Sequence, residues 1–314
     1  MAVGDRVSAF QIEEVVGAGG MGWVFRARHV LDDQVVALKV LREDQLTLER
    51  SVERMMREAA ILASVGHPGI PRFYECGVLG DGRPWIAMEL VEAAPLAIRM
   101  QRGCIPADEV LALIGSVAEV LAAAHDRGVT HRDLKPDNIF LTPNDRAFPV
   151  RVIDWGIAHH VRGTRYTNMN EAIGTPTYMA PEQARGGPTD GHCDVYGLGV
   201  VAYQALTGRP PFVGASAVEI LVQHMNRSVP ALAPRCPDAP IALVELVERM
   251  LTKSFEERPS AIEVRVAIDA LRESTSSHDD DCIPRLIPDG ELPATAQLRA
   301  PHLDLTPLGA IDDG

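Results

Sequence analysis

Gly17-Ala18-Gly19-Gly20-Met21-Gly22 packs four glycines into six residues near the start of this 314-residue chain. Glycines in a tight turn can lay bare backbone N–H groups across phosphate oxygens without side-chain obstruction. A plain flexible turn is the competing reading. A dinucleotide fingerprint would place a helix next and an acid ~20 residues on. Here Trp23-Val24-Phe25-Arg26-Ala27 alternates as a strand, so the glycines read as the turn of a hairpin. Lysine occurs only at Lys39, Lys135 and Lys253, leaving 27 of the 30 basic residues as arginine. Either compositional bias spared these three, or a compact ammonium is needed where arginine's planar fork will not serve.

The neighbourhoods of the first two lysines favour a need. Val36-Ala37-Leu38-Lys39 resembles the strand of protein kinases whose lysine pairs the α- and β-phosphates of ATP. The resemblance implies a helix glutamate as its partner. Glu58, nine residues before His67-Pro68, has the family's setting, with Glu53 as competitor on another face. His131-Arg132-Asp133-Leu134-Lys135-Pro136-Asp137-Asn138 is similar to the catalytic loop of serine/threonine kinases. By that resemblance Asp133 orients the acceptor hydroxyl, Lys135 faces the transferring γ-phosphoryl and Asn138 ligates Mg²⁺. Asp154, in Asp154-Trp155-Gly156, would hold the phosphate-bridging Mg²⁺, with Trp155 standing where Phe is usual.

Gly174-Thr175-Pro176-Thr177-Tyr178-Met179-Ala180-Pro181-Glu182 is similar to the end of a kinase activation segment, a platform for a peptide. The resemblance gives Thr175 hydrogen bonds to Asp133 and Lys135, pairs Glu182 with Arg258, and makes Asp194 the brace of the catalytic loop. It puts the hinge at Met88-Glu89-Leu90-Val91, with Met88 as gatekeeper and the backbones of Glu89 and Val91 reading adenine between Val24, Ala37 and Phe140. Glu92-Ala93-Ala94-Pro95-Leu96 lacks the glycine common after that hinge. Arg132 marks the class whose activation loop is phosphorylated, and Thr167, eight residues before Thr175, is the expected autophosphorylation site.

These groups need a frame. Gln11–Gly17, Trp23–Val30 and Gln34–Leu41 read as three strands, and Phe73–Leu79 with Arg83–Val91 as a hairpin about Gly80-Asp81-Gly82. Glu49–Val65 carries apolar residues at helical spacing, and Pro106–Asp126 is a longer amphipathic helix ended by Gly128. Strands are expected at Asn138–Leu141 and Val150–Ile153, an irregular stretch from Ala158 to Glu182, and helices over 195–206, 216–226, 240–251 and 260–272. The fold class is therefore α+β: a bilobal kinase fold over residues 10–273, with a small lobe (10–91) of five antiparallel strands and one helix, and a mainly helical large lobe (92–273). Residues 1–9 read as an extension. Residues 274–314, with eight acids, two arginines and five prolines, read as a disordered tail.

A net charge of −13 argues against nucleic-acid or anionic-membrane partners. No apolar run reaches the ~18 residues of a membrane span. Five scattered cysteines and an N-terminus without an apolar core point to the cytoplasm. The resemblance implies ATP and Mg²⁺ as cofactors, a protein with Ser/Thr hydroxyls as substrate, and self-association for phosphorylation in trans. A kinase-like scaffold and a small-molecule phosphotransferase are the alternatives.

Overall fold

The computed structural model describes residues 1–19, 22–41, 49–143, 145, 147–155 and 176–276. Its N-terminal part is an antiparallel sheet of β1 (Arg6–Val7), β2 (Phe10–Gly19), β3 (Gly22–His29), β4 (Val35–Leu41), β5 (Phe73–Val78) and β6 (Pro84–Glu89). Their order is β1-β2-β3-β4-β6-β5. The helix α1 (Glu49–Val65) joins β4 to β5. The period of two along β4 decides what each side chain meets. Val36, Leu38 and Val40 join Phe25, Ala27 and Trp85 in one apolar cluster, whereas Leu41 packs into the core shared with the helices. Ala37 and Lys39 take Leu41's side of the strand.

The sheet has six strands where five were expected. Arg6 and Val7 pair with Gln11 and Phe10, and Val7 is buried in the small-lobe core, so part of the expected extension belongs to the sheet. A two-residue strand is too short for alternation to register. For its part, β6 stops at Glu89, two residues short of the expected Val91.

The C-terminal part opens with β7 (Ala94–Pro95) and α2 (Leu96–Met100), neither of which sequence periodicity revealed. It continues through α3 (Ala107–His125), β8 (Ile139–Leu141), β9 (Val150–Val152), α4 (Pro181–Ala184), α5 (Gly191–Thr207), α6 (Ala217–Asn226), α7 (Ile241–Met250) and α8 (Ala261–Ser276). Asn138 closes a 3₁₀ turn, Pro136–Asn138, so the expected strand starts one residue later. The helix α8 runs through Ser276, past the expected tail boundary at 274. Buried faces of α3 and α5 build the large-lobe core; α5 is capped by the Asp190 carboxylate and stopped by Gly208 at φ 75°. Among the described residues no helix is long and apolar enough to cross a membrane.

Candidate active site

Lys39 sits mid-sheet, opposite Val24 on β3 and Ile86 on β6. Its ammonium leaves the small lobe and reaches Asp154 Oδ1 at 2.8 Å, 115 residues along the chain. That ammonium holds the Asp154 carboxyl below the usual carboxylate range. The Asp154 side chain is 40% exposed. Asp154 takes φ 56° and Arg132 takes φ 66°, a left-handed backbone that costs L-residues energy and is held only by surrounding contacts.

Those contacts come from buried polar groups. Asp194, 1% exposed on α5, accepts hydrogen bonds from the backbone N–H of His131 and Arg132, both at 2.7 Å. It also meets His125 Nε2 at 2.8 Å. Burial pushes the Asp194 carboxyl up, but the His125 and backbone contacts outweigh it and hold the group ionised, below its ordinary value. Gln183 on α4 donates to the Arg132 carbonyl at 2.9 Å. His131 Nδ1 faces the Asp133 N–H at 3.3 Å, which leaves Nε2 to donate to the Ile153 carbonyl at 2.8 Å. Ile153 N–H in turn donates to the Asn138 carbonyl at 2.9 Å. One ring thus ties the Asp133 loop to the Asp154 segment.

Asp133 Oδ2 accepts from Lys135 Nζ at 2.7 Å, leaving Oδ1 for another partner. Asn138 donates its amide to the Asp133 carbonyl at 2.8 Å, and its own oxygen has no hydrogen bond among the described residues. Two oxygen donors, from Asp154 and Asn138, suit a hard cation such as Mg²⁺, which binds through one or two side chains plus substrate phosphates. No cluster of three or more His, Cys, Asp or Glu that could cage a metal alone exists among the described residues.

Ala37 pairs with Met88 across β4 and β6, and Phe140 is buried on β8. Glu89 N–H is given to the Arg72 carbonyl at 2.7 Å, which leaves the Glu89 carbonyl as the group able to read a base. Its carboxylate is pinned by Arg72 N–H at 3.1 Å and Arg151 Nε at 3.5 Å. Val91 follows the end of β6, and Arg26 on β3 bonds Glu92 at 3.0 Å just beyond it. Ala18 pairs with Trp23, and Gly19 with Gly22, across the hairpin. Gly22, at φ 155°, could not carry a side chain: a Cβ there would lie 2.2 Å from the Val40 carbonyl oxygen. Around Gly17 a Cβ would meet nothing within 4 Å among the described residues.

Glu58 lies on α1, but its side chain falls outside the described part, as do Gly20, Met21, Thr167 and Thr175. Of the remaining sequence-derived site residues, the structure brings Lys39 against Asp154, and Lys135 and Asn138 against Asp133. Sequence reading missed the roles of His125, Gln183 and Arg151, whose partners lie 69, 51 and 62 residues away and leave no spacing signal.

Trp155 fills the place of the usual Phe with an added tether. Its indole N–H donates to the Val152 carbonyl at 2.8 Å, and its ring lies 4.9 Å from that of His131. Trp155→Phe should lower unfolding stability by about 1–3 kcal/mol, from one lost buried hydrogen bond and a partial cavity. Urea denaturation checks this; an unchanged midpoint would show that the tether contributes nothing.

An antiparallel lobe and a helical lobe, joined at a hinge over a cleft of lysine, aspartate and asparagine, define a kinase. The sequence matches the protein kinase domain family over residues 10–267. It is 40% identical over 264 residues to the serine/threonine-protein kinase pkn3 of Myxococcus xanthus, covering 81% of this chain and 48% of that protein. It is 34% identical over 279 residues to PrkC of Bacillus subtilis, covering 87% of this chain and 42% of that protein. The crystal structure of the Mycobacterium tuberculosis PknI kinase domain superposes with a TM-score of 0.67 at 27% identity, covering 87% of this chain and 98% of that one. The chain belongs to the protein kinase family, in its bacterial serine/threonine branch. It spans about half or less of the length of the curated relatives described.

Proposed function

We propose that this chain transfers the γ-phosphoryl group of ATP to serine or threonine hydroxyls of proteins, with Mg²⁺ bound. The observation that carries the reading is the 2.8 Å contact between Lys39 and Asp154, which brings a cation of one lobe to a carboxylate of the other beside Asp133 and Lys135. Bound Mg²⁺ would neutralise phosphate charge, held by Asp154 and the Asn138 oxygen, while Lys39 takes the α- and β-phosphates and Glu58 steadies it. The hairpin 17–22 covers the phosphates. Adenine lies between Val24, Ala37 and Phe140, read by Glu89 and Val91 beside Met88.

Catalysis is then positioning and charge. The acceptor oxygen bonds to the γ-phosphorus as the bond from that phosphorus to the β–γ bridging oxygen breaks, and ADP leaves. Asp133 Oδ1, the oxygen not held by Lys135, takes the hydroxyl proton. Lys135 meets charge on the moving phosphoryl group, and Thr175 joins Asp133 and Lys135. Thr167 is the proposed autophosphorylation site, modified in trans by a second copy, and the cytoplasm is the proposed compartment. Incubation with ATP and Mg²⁺, followed by intact-mass and site mapping, tests both levels. Phosphate on myelin basic protein supports the activity; none on either protein removes it, and self-phosphorylation that spares Thr167 removes that site alone.

A further inference from the structure

Lys253, the third rare lysine, has no part in the phosphate chemistry, yet it is partly buried against aromatic rings. Its Nζ lies 4.4 Å from the Phe212 ring centroid and donates to the Tyr196 hydroxyl at 3.1 Å. An ammonium has only donors, so that hydroxyl must turn its own hydrogen elsewhere. It faces His224 Nδ1 at 2.9 Å. His224 therefore accepts at Nδ1 and carries its proton on Nε2. Burial and the charge of Lys253 hold its pKa down to about 4, so the ring is neutral. His224 is 0% exposed, wedged edge-on against Phe212 and Tyr196.

The far end of this chain is the Thr177 backbone. His224 Nε2 is buried and faces the Thr177 backbone as its hydrogen-bond partner, at looser than standard geometry among the described residues. Thr177 is the middle residue of the 3₁₀ turn Pro176–Tyr178, which is partly exposed. That turn flanks the catalytic loop: a Cβ on Gly197 would sit 3.3 Å from the Leu134 carbonyl and 3.5 Å from the Tyr178 carbonyl. Tyr178 thus stands beside Leu134, the residue that follows Asp133.

We propose that Lys253, Tyr196 and His224 form a polar relay that sets the height of the Pro176–Tyr178 turn, so that these three are positioning residues for the acceptor protein. The inference rests on the proposed kinase reading and names a determinant of its acceptor side.

Steady-state transfer from ATP to myelin basic protein, a cationic probe suited to an acidic enzyme, tests the relay in Tyr196→Phe and Lys253→Met. Both variants keep the packing and break the chain. The acceptor KM should rise about five- to tenfold, the size of one lost hydrogen bond. The KM for ATP should hold and the melting temperature should fall only by the few degrees expected of one lost buried hydrogen bond, and Lys253→Arg, which restores a donor, should recover most of the loss. An unchanged acceptor KM in both variants overturns the relay, as does a joint fall of kcat, both affinities and melting temperature, the mark of a merely structural cluster. A wild-type chain that transfers nothing overturns the kinase reading itself, and the relay with it.

Discussion

Asp154→Asn should cut phosphoryl transfer at least ~10³-fold, the kinetic equivalent of several kcal/mol of lost charge stabilisation. Asparagine is the informative replacement because Asp154 sits at φ 56°, a conformation that asparagine tolerates and alanine resists. The variant keeps shape and backbone while removing the charge that Lys39 meets at 2.8 Å. The pair is partly solvent-exposed, so its loss should move unfolding stability by no more than ~1 kcal/mol. Rates from mass-resolved ATP transfer, beside a thermal melt of the same preparation, separate the two effects. A variant that retains a tenth of the wild-type rate would deny Asp154 the role given to it.

The second large effect belongs to stability. Arg258 is buried completely, donating to both carboxylate oxygens of Glu182 at 2.7 and 3.1 Å. It also bonds the His192 carbonyl at 2.6 Å and the Thr252 carbonyl at 3.1 Å, and lies over the Tyr196 ring. Arg258→Ala strands a carboxylate and two carbonyls, and should cost about 3–5 kcal/mol. Much of a domain's typical net stability of about 5–15 kcal/mol would go with it. Arg258→Met combined with Glu182→Leu removes both charges and fills the space, and should recover a large part of the loss. Urea unfolding of the three proteins reads this out. If the double variant is no more stable than Arg258→Ala, the cost does not arise from a stranded charge.

Much of the cleft was legible because its chemistry is written in short contiguous runs. Asp133, Lys135 and Asn138 fall within six residues, and their mutual contacts follow once the turn closes. Lys39 was singled out by scarcity and by its strand, and the structure puts it against Asp154. The illegible parts share one physical cause, partners far apart in sequence. His125 reaches Asp194 across 69 residues, and Lys253 reaches Tyr196 across 57. Periodicity failed for β1, β7 and α2, which are too short to complete two repeats of any pattern. It also missed the end of α8, where Ser274, Thr275 and Ser276 look like a tail yet continue the helix.

The glycines of the hairpin separate two kinds of constraint that the motif alone runs together. Gly22 answers to the neighbouring strand, since the Val40 carbonyl occupies the volume a methyl group would need. Gly17 answers to nothing among the described residues. A descendant of this chain that had abandoned nucleotide would still be obliged to keep the former, while the latter drifted. Glycine retained at position 22 with any residue at position 17 is therefore what a silenced copy should look like, and a genome survey could sort working copies from dead ones on that asymmetry.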